Sequence, residues 1–95
     1  MSIIYIGQSQ AKPDQVEKYR NFIASVIAPA IKASAGSQSY QVYQSQDDPT
    51  KFIGMEVWDS VEAHRASVKN IPPESIGEFM RLVATSPRGG YYRVV

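Results

Sequence analysis

The chain has 95 residues, ten Lys and Arg against nine Asp and Glu, and no cysteine. The missing cysteines exclude disulfides, thiolate metal sites and a thiol nucleophile. The nearly balanced, scattered charges exclude the basic patch by which proteins bind nucleic acid or anionic lipid. The length predicts a single domain over residues 1–95.

The N-terminus shows no targeting or membrane signal. Its first ten residues lack the basic region and the long apolar core of a signal peptide. No apolar run approaches the ~20 residues that span a bilayer. We therefore expect a cytoplasmic protein that does not bind a membrane.

Hydrophobic periodicity predicts a strand followed by a helix in the first third of the chain. Residues 3–6 are apolar on both faces of a strand, so both faces should be covered. Pro13 suits the first turn of a helix, and an apolar stripe then continues at three- and four-residue spacing up to Ile31. Pro29 should kink or interrupt this helix because it lacks an N–H donor. Gly36 is a natural terminator.

The rest of the chain predicts a hairpin, two helices and a closing strand. Residues 39–45 and 51–58 have strand composition and flank one short turn at 47–50, which indicates antiparallel pairing. The remaining elements are helices at about 60–69 and 74–84, a break at 70–73, a loop at 87–90 and a strand at 91–95.

The predicted order is strand, helix, strand, strand, helix, strand. This is the α+β, ferredoxin-like βαββαβ arrangement, in which helices cover one face of a four-stranded antiparallel sheet. The first three strands are read as apolar on both sides, and no further element is left to cover the second face. A homodimer that pairs sheet with sheet would cover it.

The segment from Phe52 to His64 gathers the only Trp, the only His and the best candidate for a buried acid. It reads as a strand that turns directly into a helix. Asp59 or Ser60 would cap that helix, and Asp59 with Glu62 approaches a capping box.

Three residues of this segment are candidates for chemistry, and each has a structural alternative. Glu56 shares a strand face with Trp58 and needs a partner if buried, so it is a salt-bridge residue or a general base. Trp58 is a core anchor or one wall of an aromatic-binding pocket. His64 is a surface residue or a proton carrier at a pocket edge. The basic partners considered for Glu56 are Arg20, Lys51, Arg65, Arg81 and Arg93.

Residues 56–64 resemble the E-x-W-x-S-x-E-A-H signature of the antibiotic biosynthesis monooxygenase family. Pro29, Gly36 and the pair Asp48-Pro49 fit the same context. The resemblance implies a homodimeric α+β barrel and cofactor-independent oxygenation of phenolic, quinol or polyketide aromatics. Other relatives degrade haem or isomerise a small phosphorylated sugar-like signal.

Two departures from the family pattern narrow this expectation. Family members often carry a second His three residues after the first, where this chain has Ser67. The haem-degrading branch resembles a triad with an Asn on the first strand and a His about ten residues after the Trp. This chain has Gly7, Gln8 and Val68 at those places, which disfavours haem degradation.

The leading hypothesis is a monooxygenase without a cofactor, with His64 as the proton carrier. The substrate site is expected to include Glu56, Trp58, Phe79, Tyr40 and Ser67. One His and scattered acids do not supply a metal ligand set. The alternatives are a non-catalytic dimer that binds a small molecule, or an isomerase-like relative, which would need several basic groups around one cavity. Candidates for those groups are Arg65, Arg81 and Arg88.

Overall fold

The computed structural model describes residues 2–95. The protein is built on a four-stranded antiparallel sheet. The strands are β1 (Ile3–Gln10), β2 (Ser37–Gln44), β3 (Lys51–Trp58) and β4 (Arg88–Tyr92), in the spatial order β2-β3-β1-β4. The helices pack against one face of this sheet. The ferredoxin-like α+β fold predicted from the order of elements is therefore confirmed, as is the antiparallel hairpin of β2 and β3.

Helical segments fill the two crossover connections. The first contains a 3-10 turn (Pro13–Gln15), α1 (Val16–Phe22), a π-helical turn (Ile23–Ile27) and α2 (Ala28–Lys32). The second contains α3 (Val61–Ser67), a 3-10 turn (Val68–Asn70) and α4 (Pro73–Leu82). Within residues 2–95, no helix combines the length and the apolar character that crossing a bilayer demands.

The interruption predicted at Pro29 takes the form of the π-helical turn that precedes it. The N–H of Ala28 bonds to the carbonyl of Ile23, five residues back, immediately before the proline. Proline has no N–H and its ring crowds the preceding turn, so a widened turn accommodates it. Gly36 lies beyond the helix and has a φ of 85°, a value that glycine adopts without strain.

The closing strand was predicted three residues too late. β4 begins at Arg88, includes the two glycines that were read as a loop, and ends at Tyr92. Gly89 belongs in the strand because the Tyr5 ring lies directly over it: a Cβ there would come within 1.8 Å of the Tyr5 hydroxyl oxygen. A strand glycine often marks such a close approach.

Two other boundaries also differ from prediction. β1 continues past residue 6 to Gln10, because its second half pairs with the first half of β3. Helix α4 ends at Leu82 rather than near residue 84, because Val83 is extended and forms an isolated β-bridge with Ala11.

The core lies between the sheet and the helices. Its buried members, from four different segments, are Ala11, Tyr19, Phe52, Leu82 and Val83. The opposite face of the sheet carries no element within residues 2–95, which leaves the side chains of Ile53 and Met55 43% and 38% exposed. We call this surface the open face and the helix-packed surface the covered face. β2 contributes Ser39 and Gln41 to the open face, so that strand is more polar there than predicted.

Candidate functional site

A row of ionisable residues crosses the covered face of all four strands. Tyr40 on β2 pairs with Glu56 on β3, Glu56 pairs with Tyr5 on β1, and Tyr5 pairs with Tyr91 on β4. Residues directly opposite each other in an antiparallel sheet project from the same face, so these four side chains are neighbours. One carboxyl group therefore lies between phenol rings under the helices.

The turn after β3 places His64 above this row. Of the two expected caps, Ser60 is the one that forms, with its hydroxyl accepting the N–H of Ala63 at 3.1 Å. Asp59 instead accepts a hydrogen bond from the Gln38 amide at 2.6 Å. The His64 ring, one turn further along α3, stacks on the Tyr5 ring with 4.0 Å between centroids.

Hydrogen bonds and ring contacts fix the orientation of the imidazole. Its Nδ1 lies 2.7 Å from the Tyr91 hydroxyl oxygen, and its Nε2 lies 3.7 Å from Oε1 of Glu56. The same Oε1 accepts the indole N–H of Trp58 at 2.8 Å. The Trp58 ring meets the imidazole edge-on at 5.5 Å between centroids. The structure therefore brings together the three candidates of the strand-to-helix segment.

Glu56 has different partners from those predicted. Among residues 2–95, the single basic group within ion-pair distance of its carboxylate is His64, so the expected salt bridge to an Arg or Lys is not formed. Glu56 is buried, with 8% of the residue exposed. Burial raises the pKa of Glu56, and the hydrogen bond from Trp58 partly offsets that rise.

The groups around Glu56 are shifted in the direction of their neutral forms. Burial lowers the pKa of His64, and the nearby Arg65 guanidinium lowers it further. Burial raises the pKa of Tyr5, with smaller contributions from Glu56 and Tyr91. Burial likewise raises the pKa of Tyr40, and the nearby Glu56 raises it further. At neutral pH the imidazole is therefore an unprotonated base stacked on the neutral phenol ring of Tyr5.

The other predicted site residues lie apart from the imidazole ring. Phe79 packs in the core, 5.7 Å from the Tyr19 ring between centroids. The Ser67 hydroxyl donates a hydrogen bond to the carbonyl oxygen of His64, so it is engaged with the helix backbone. Tyr40 lies in the row itself and also faces a groove beside β2. No cluster of three or more potential metal ligands occurs in residues 2–95.

Tyr5 and Tyr91 are the residues of this cluster that sequence reasoning missed. Neither tyrosine belongs to a motif that would single it out among the six in the chain. Their alternation with apolar neighbours places each on one face of its strand, but it does not say which strands pair or in what register. The pairing of the first strand with the last creates the row, and it joins residues far apart in the sequence.

Two grooves lie on the surface near the sheet, and His64 lines neither of them. The first, which we call the Tyr40 groove, has a volume of about 440 Å³ and lies between the helical segment of residues 13–32 and β2. Its walls include Ile23, Ala28, Tyr40 and Phe52. The second, of about 720 Å³, lies at the far end of the sheet and includes Lys51 and Arg88. The Tyr40 groove is the one adjacent to the row, because Tyr40 pairs with Glu56.

Comparison with known proteins gives a consistent family and fold. The family model described as antibiotic biosynthesis monooxygenase matches residues 2–82. No curated protein matches the sequence. Among solved structures, a conserved protein from Methanosarcina mazei Go1 is 20% identical with a TM-score of 0.84, and the match covers 98% of this chain and 92% of that one.

Two further structures extend the comparison. A protein from Chloroflexus aurantiacus J-10-fl, provisionally assigned as an antibiotic biosynthesis monooxygenase, is 25% identical with a TM-score of 0.76, and the match covers 100% of this chain and 96% of that one. SnoaB from Streptomyces nogalater, a cofactor-independent oxygenase, is 11% identical with a TM-score of 0.82, over 98% and 92% of the two chains. At that identity the likeness to SnoaB shows the fold alone.

Proposed function

Since the chain belongs to the antibiotic biosynthesis monooxygenase family, we propose that it is a cofactor-independent monooxygenase of a quinol, phenol or aromatic polyketide-like small molecule. The observation that carries the proposal is the position of the His64 imidazole, which is fixed between the Glu56 carboxyl group and the Tyr91 phenol on the covered face. SnoaB, a protein of the same fold, is a cofactor-independent oxygenase, so this fold can accommodate such a reaction.

The reaction asks three things of a protein that holds no redox cofactor. It must remove a proton from the substrate, because the resulting anion is the electron donor to dioxygen. It must hold that anion in place, and it must keep water away from the reacting atoms. One oxygen atom then enters the product and the other leaves as water, with both reducing electrons coming from the substrate.

The cluster supplies the proton acceptor and its support. His64 has a lowered pKa, so it is ready to take a proton at neutral pH. Glu56 lies beside the ring edge that would become positively charged and stabilises the imidazolium once it forms. Trp58 is fully buried, and its N–H fixes the Glu56 carboxyl group. We assign Trp58 to this supporting task rather than to contact with the substrate.

We place the reacting hydroxyl of the substrate at the exposed end of the row, beside the pair His64 and Tyr91. The Tyr40 groove has the apolar walls and few polar groups that are typical of small-molecule sites, but it lies at the opposite, β2 edge of the sheet and therefore belongs to the binding alternative. Tyr40 contributes to the site through its neighbour Glu56. Phe79 and Ser67 would contribute indirectly: Phe79 packs beneath Tyr19, and Ser67 anchors the end of α3.

Oxygen uptake with a panel of quinols and anthrones tests the activity. The His64→Ala variant is expected to lose about 100-fold in kcat/KM, the lower end of what a positioned acid–base group contributes. The Glu62→Gln variant, on the exposed side of the same helix, should match the wild type. Uptake that is equal in the wild type and His64→Ala contradicts the proposed role of His64.

The same assay separates the catalytic proposal from a binding function. His64 lines neither groove, an observation that favours a non-catalytic dimer binding a small molecule. Under that alternative, aromatic ligands bind to the wild type with no oxygen uptake. Calorimetric titration of the same panel beside the uptake assay distinguishes the two outcomes.

We further propose a homodimer in which the open faces of two sheets pair. Tyr43, Ile53 and Met55 are large apolar side chains on this face with 52%, 43% and 38% of their surface exposed. A contiguous exposed apolar surface of this kind is typical of a protein–protein interface. Sedimentation equilibrium measures the mass directly, and a wild type that stays monomeric at micromolar concentration contradicts the dimer.

A further inference from the structure

We propose that Tyr91, rather than His64, is the group that takes the proton from the substrate, and that His64 acts through Tyr91. This inference rests on the proposed function and concerns the route of the proton within the same site. It is carried by the partner that each ring nitrogen of His64 faces and by the exposure of Tyr91.

The tautomer of His64 follows from Glu56. Oε1 of Glu56 accepts the Trp58 indole N–H at 2.8 Å, so this oxygen presents lone pairs to its surroundings. His64 Nε2 lies 3.7 Å from the same oxygen, and a lone pair on Nε2 would be repelled there. Nε2 therefore carries the proton of the neutral ring. Nδ1 is then the acceptor, and the Tyr91 hydroxyl donates to it at 2.7 Å.

No ring nitrogen of His64 is left for a substrate. Nε2 is directed at Glu56 and Nδ1 is occupied by Tyr91, while the Tyr5 ring covers one face of the imidazole at 4.0 Å. The His64 side chain is 14% exposed. Tyr91 is 37% exposed, and its hydrogen bond to His64 lies in the exposed part of the cluster. A substrate proton therefore reaches His64 by way of the Tyr91 oxygen.

The proton step is a concerted double transfer without any redox change. The substrate hydroxyl gives its proton to the Tyr91 oxygen as the proton of Tyr91 moves to His64 Nδ1. The products are a substrate anion, a neutral Tyr91 and an imidazolium whose Nε2–H faces Glu56. Tyr91 stays neutral throughout, so the relay never requires a free phenolate.

Arg65 favours a substrate that becomes an anion when it loses its proton. Its guanidinium carbon lies 5.8 Å from the centre of the Tyr91 ring, and the residue is exposed. A positive charge at that position stabilises an anion bound at the Tyr91 oxygen. The charged and titratable groups facing the pair are thus Tyr5 from β1, Glu56 from β3 and Arg65 from α3. The geometry fits an acidic phenol or enol whose conjugate base is an oxyanion.

The direction of the relay is tested on the unaltered protein. His64 is the only histidine, so nitrogen NMR of protein labelled at histidine reports one imidazole. We expect the protonated nitrogen to be Nε2 at neutral pH. A wild-type spectrum with the proton on Nδ1 overturns the proposal. This measurement decides the bond direction even if Tyr91→Phe fails to fold.

The contact with substrate is tested with para-nitrophenol, whose anion absorbs visible light. Bound to the wild type, this probe should ionise at lower pH than in water, and Tyr91→Phe should abolish that shift. Tyr92→Phe is the matched control, because Tyr92 is the next residue, projects from the open face and is 54% exposed. Arg65→Gln should weaken the shift several-fold. Equal ionisation in the wild type and Tyr91→Phe, or no binding at all, overturns the proposal.

Oxygen uptake separates a failure of this inference from a failure of the proposed function. With an oxidisable substrate, Tyr91→Phe should lose about 100-fold in kcat/KM while Tyr92→Phe retains wild-type activity. Wild-type uptake that Tyr91→Phe leaves unchanged overturns the relay and keeps the monooxygenase. A shifted nitrophenol that depends on Tyr91, with no uptake of oxygen, supports the relay and contradicts the monooxygenase.

Discussion

Two neighbouring residues of β3 depart from the usual distribution of polar and apolar side chains between the two faces of a sheet. Glu56, the one carboxylate of the strand, lies on the covered face and is 8% exposed, whereas its neighbour Met55 lies on the open face and is 38% exposed. Side chains alternate along a strand, so a shift of one residue in register would exchange the two. A buried acid is costly without partners, and an exposed thioether beside other exposed apolar side chains is typical of an interaction surface. The proposed chemistry therefore lies on the covered face, and the proposed dimer interface on the open face.

The largest expected loss in the free energy of unfolding comes from a substitution at Gly89, on the covered face. In Gly89→Ala the new Cβ would lie 1.8 Å from the Tyr5 hydroxyl oxygen, so the Tyr5 ring must move and lose its stacking on His64. Overpacking of this kind costs roughly 1–3 kcal/mol of the free energy of unfolding. Urea denaturation of the variant measures it.

Gly90→Ala is the matched control, because the adjacent glycine projects from the open face. Its nearest side-chain atom, Cε1 of Tyr92, would be 3.6 Å from the new Cβ, an ordinary contact distance. We expect Gly90→Ala to change the free energy of unfolding by less than half as much as Gly89→Ala. Equal effects at the two positions would mean that Tyr5 does not depend on the space above Gly89.

These two glycines also show where prediction from sequence stops. The order of elements, the β2–β3 hairpin and the cap at Ser60 follow from local periodicity, turn residues and helix signals, and the structure has them. The pair Gly89-Gly90 looks like a loop by every local criterion. It is strand because it pairs with β1, more than eighty residues earlier, and Gly89 leaves room for the Tyr5 ring of that strand. Local sequence does not encode this pairing.

The same limit applies to the candidate site: its local segment could be predicted from sequence, and its contacts between distant strands could not. The strand-to-helix segment identifies Glu56, Trp58 and His64, since a single Trp, a single His and a strand acid stand out in any reading. The partners of His64 come from the first and last strands. Their contribution depends on the register of β1 with β4, so Tyr5 and Tyr91 emerged only from the structure.

We expect an effect of intermediate size in the pH dependence of stability. The contribution of Glu56 to the free energy of unfolding should fall as pH rises, whereas that of His64 should increase. Burial raises the pKa of Glu56 above its unfolded value, so its contribution to stability is complete below the unfolded pKa and is lost as pH rises through the folded pKa. Burial lowers the pKa of His64, so stability is lost as pH falls from about 6.5 through the folded pKa.

Two neutral substitutions separate these contributions. Glu56→Gln should remove the loss of stability on the alkaline side of the Glu56 transition, and His64→Gln should remove the loss on the acid side of pH 6.5. The free energy of unfolding measured in urea from mildly acid to neutral pH gives both differences. If Glu56→Gln is destabilised most at low pH and least at neutral pH, the sign argued for Glu56 is correct. The opposite trend would show a carboxylate stabilised by its surroundings.

A substitution at Met55 is expected to have the smallest effect on the free energy of unfolding and the largest effect on the proposed dimer. Met55→Lys places a charge at a side chain that is already 38% exposed, so the free energy of unfolding of the monomer should change by no more than about 0.5 kcal/mol. The same charge would be buried between two sheets in the proposed homodimer, where an unpaired ammonium is costly. Sedimentation equilibrium should therefore show the variant as a monomer at concentrations at which the wild type is dimeric.

Ala66→Lys, an equal change of charge at an exposed site on α3, should leave the mass unchanged. If both variants remain dimeric, the interface lies elsewhere than the open face. If Met55→Lys is monomeric and still consumes oxygen, the covered face carries the chemistry without help from the partner subunit.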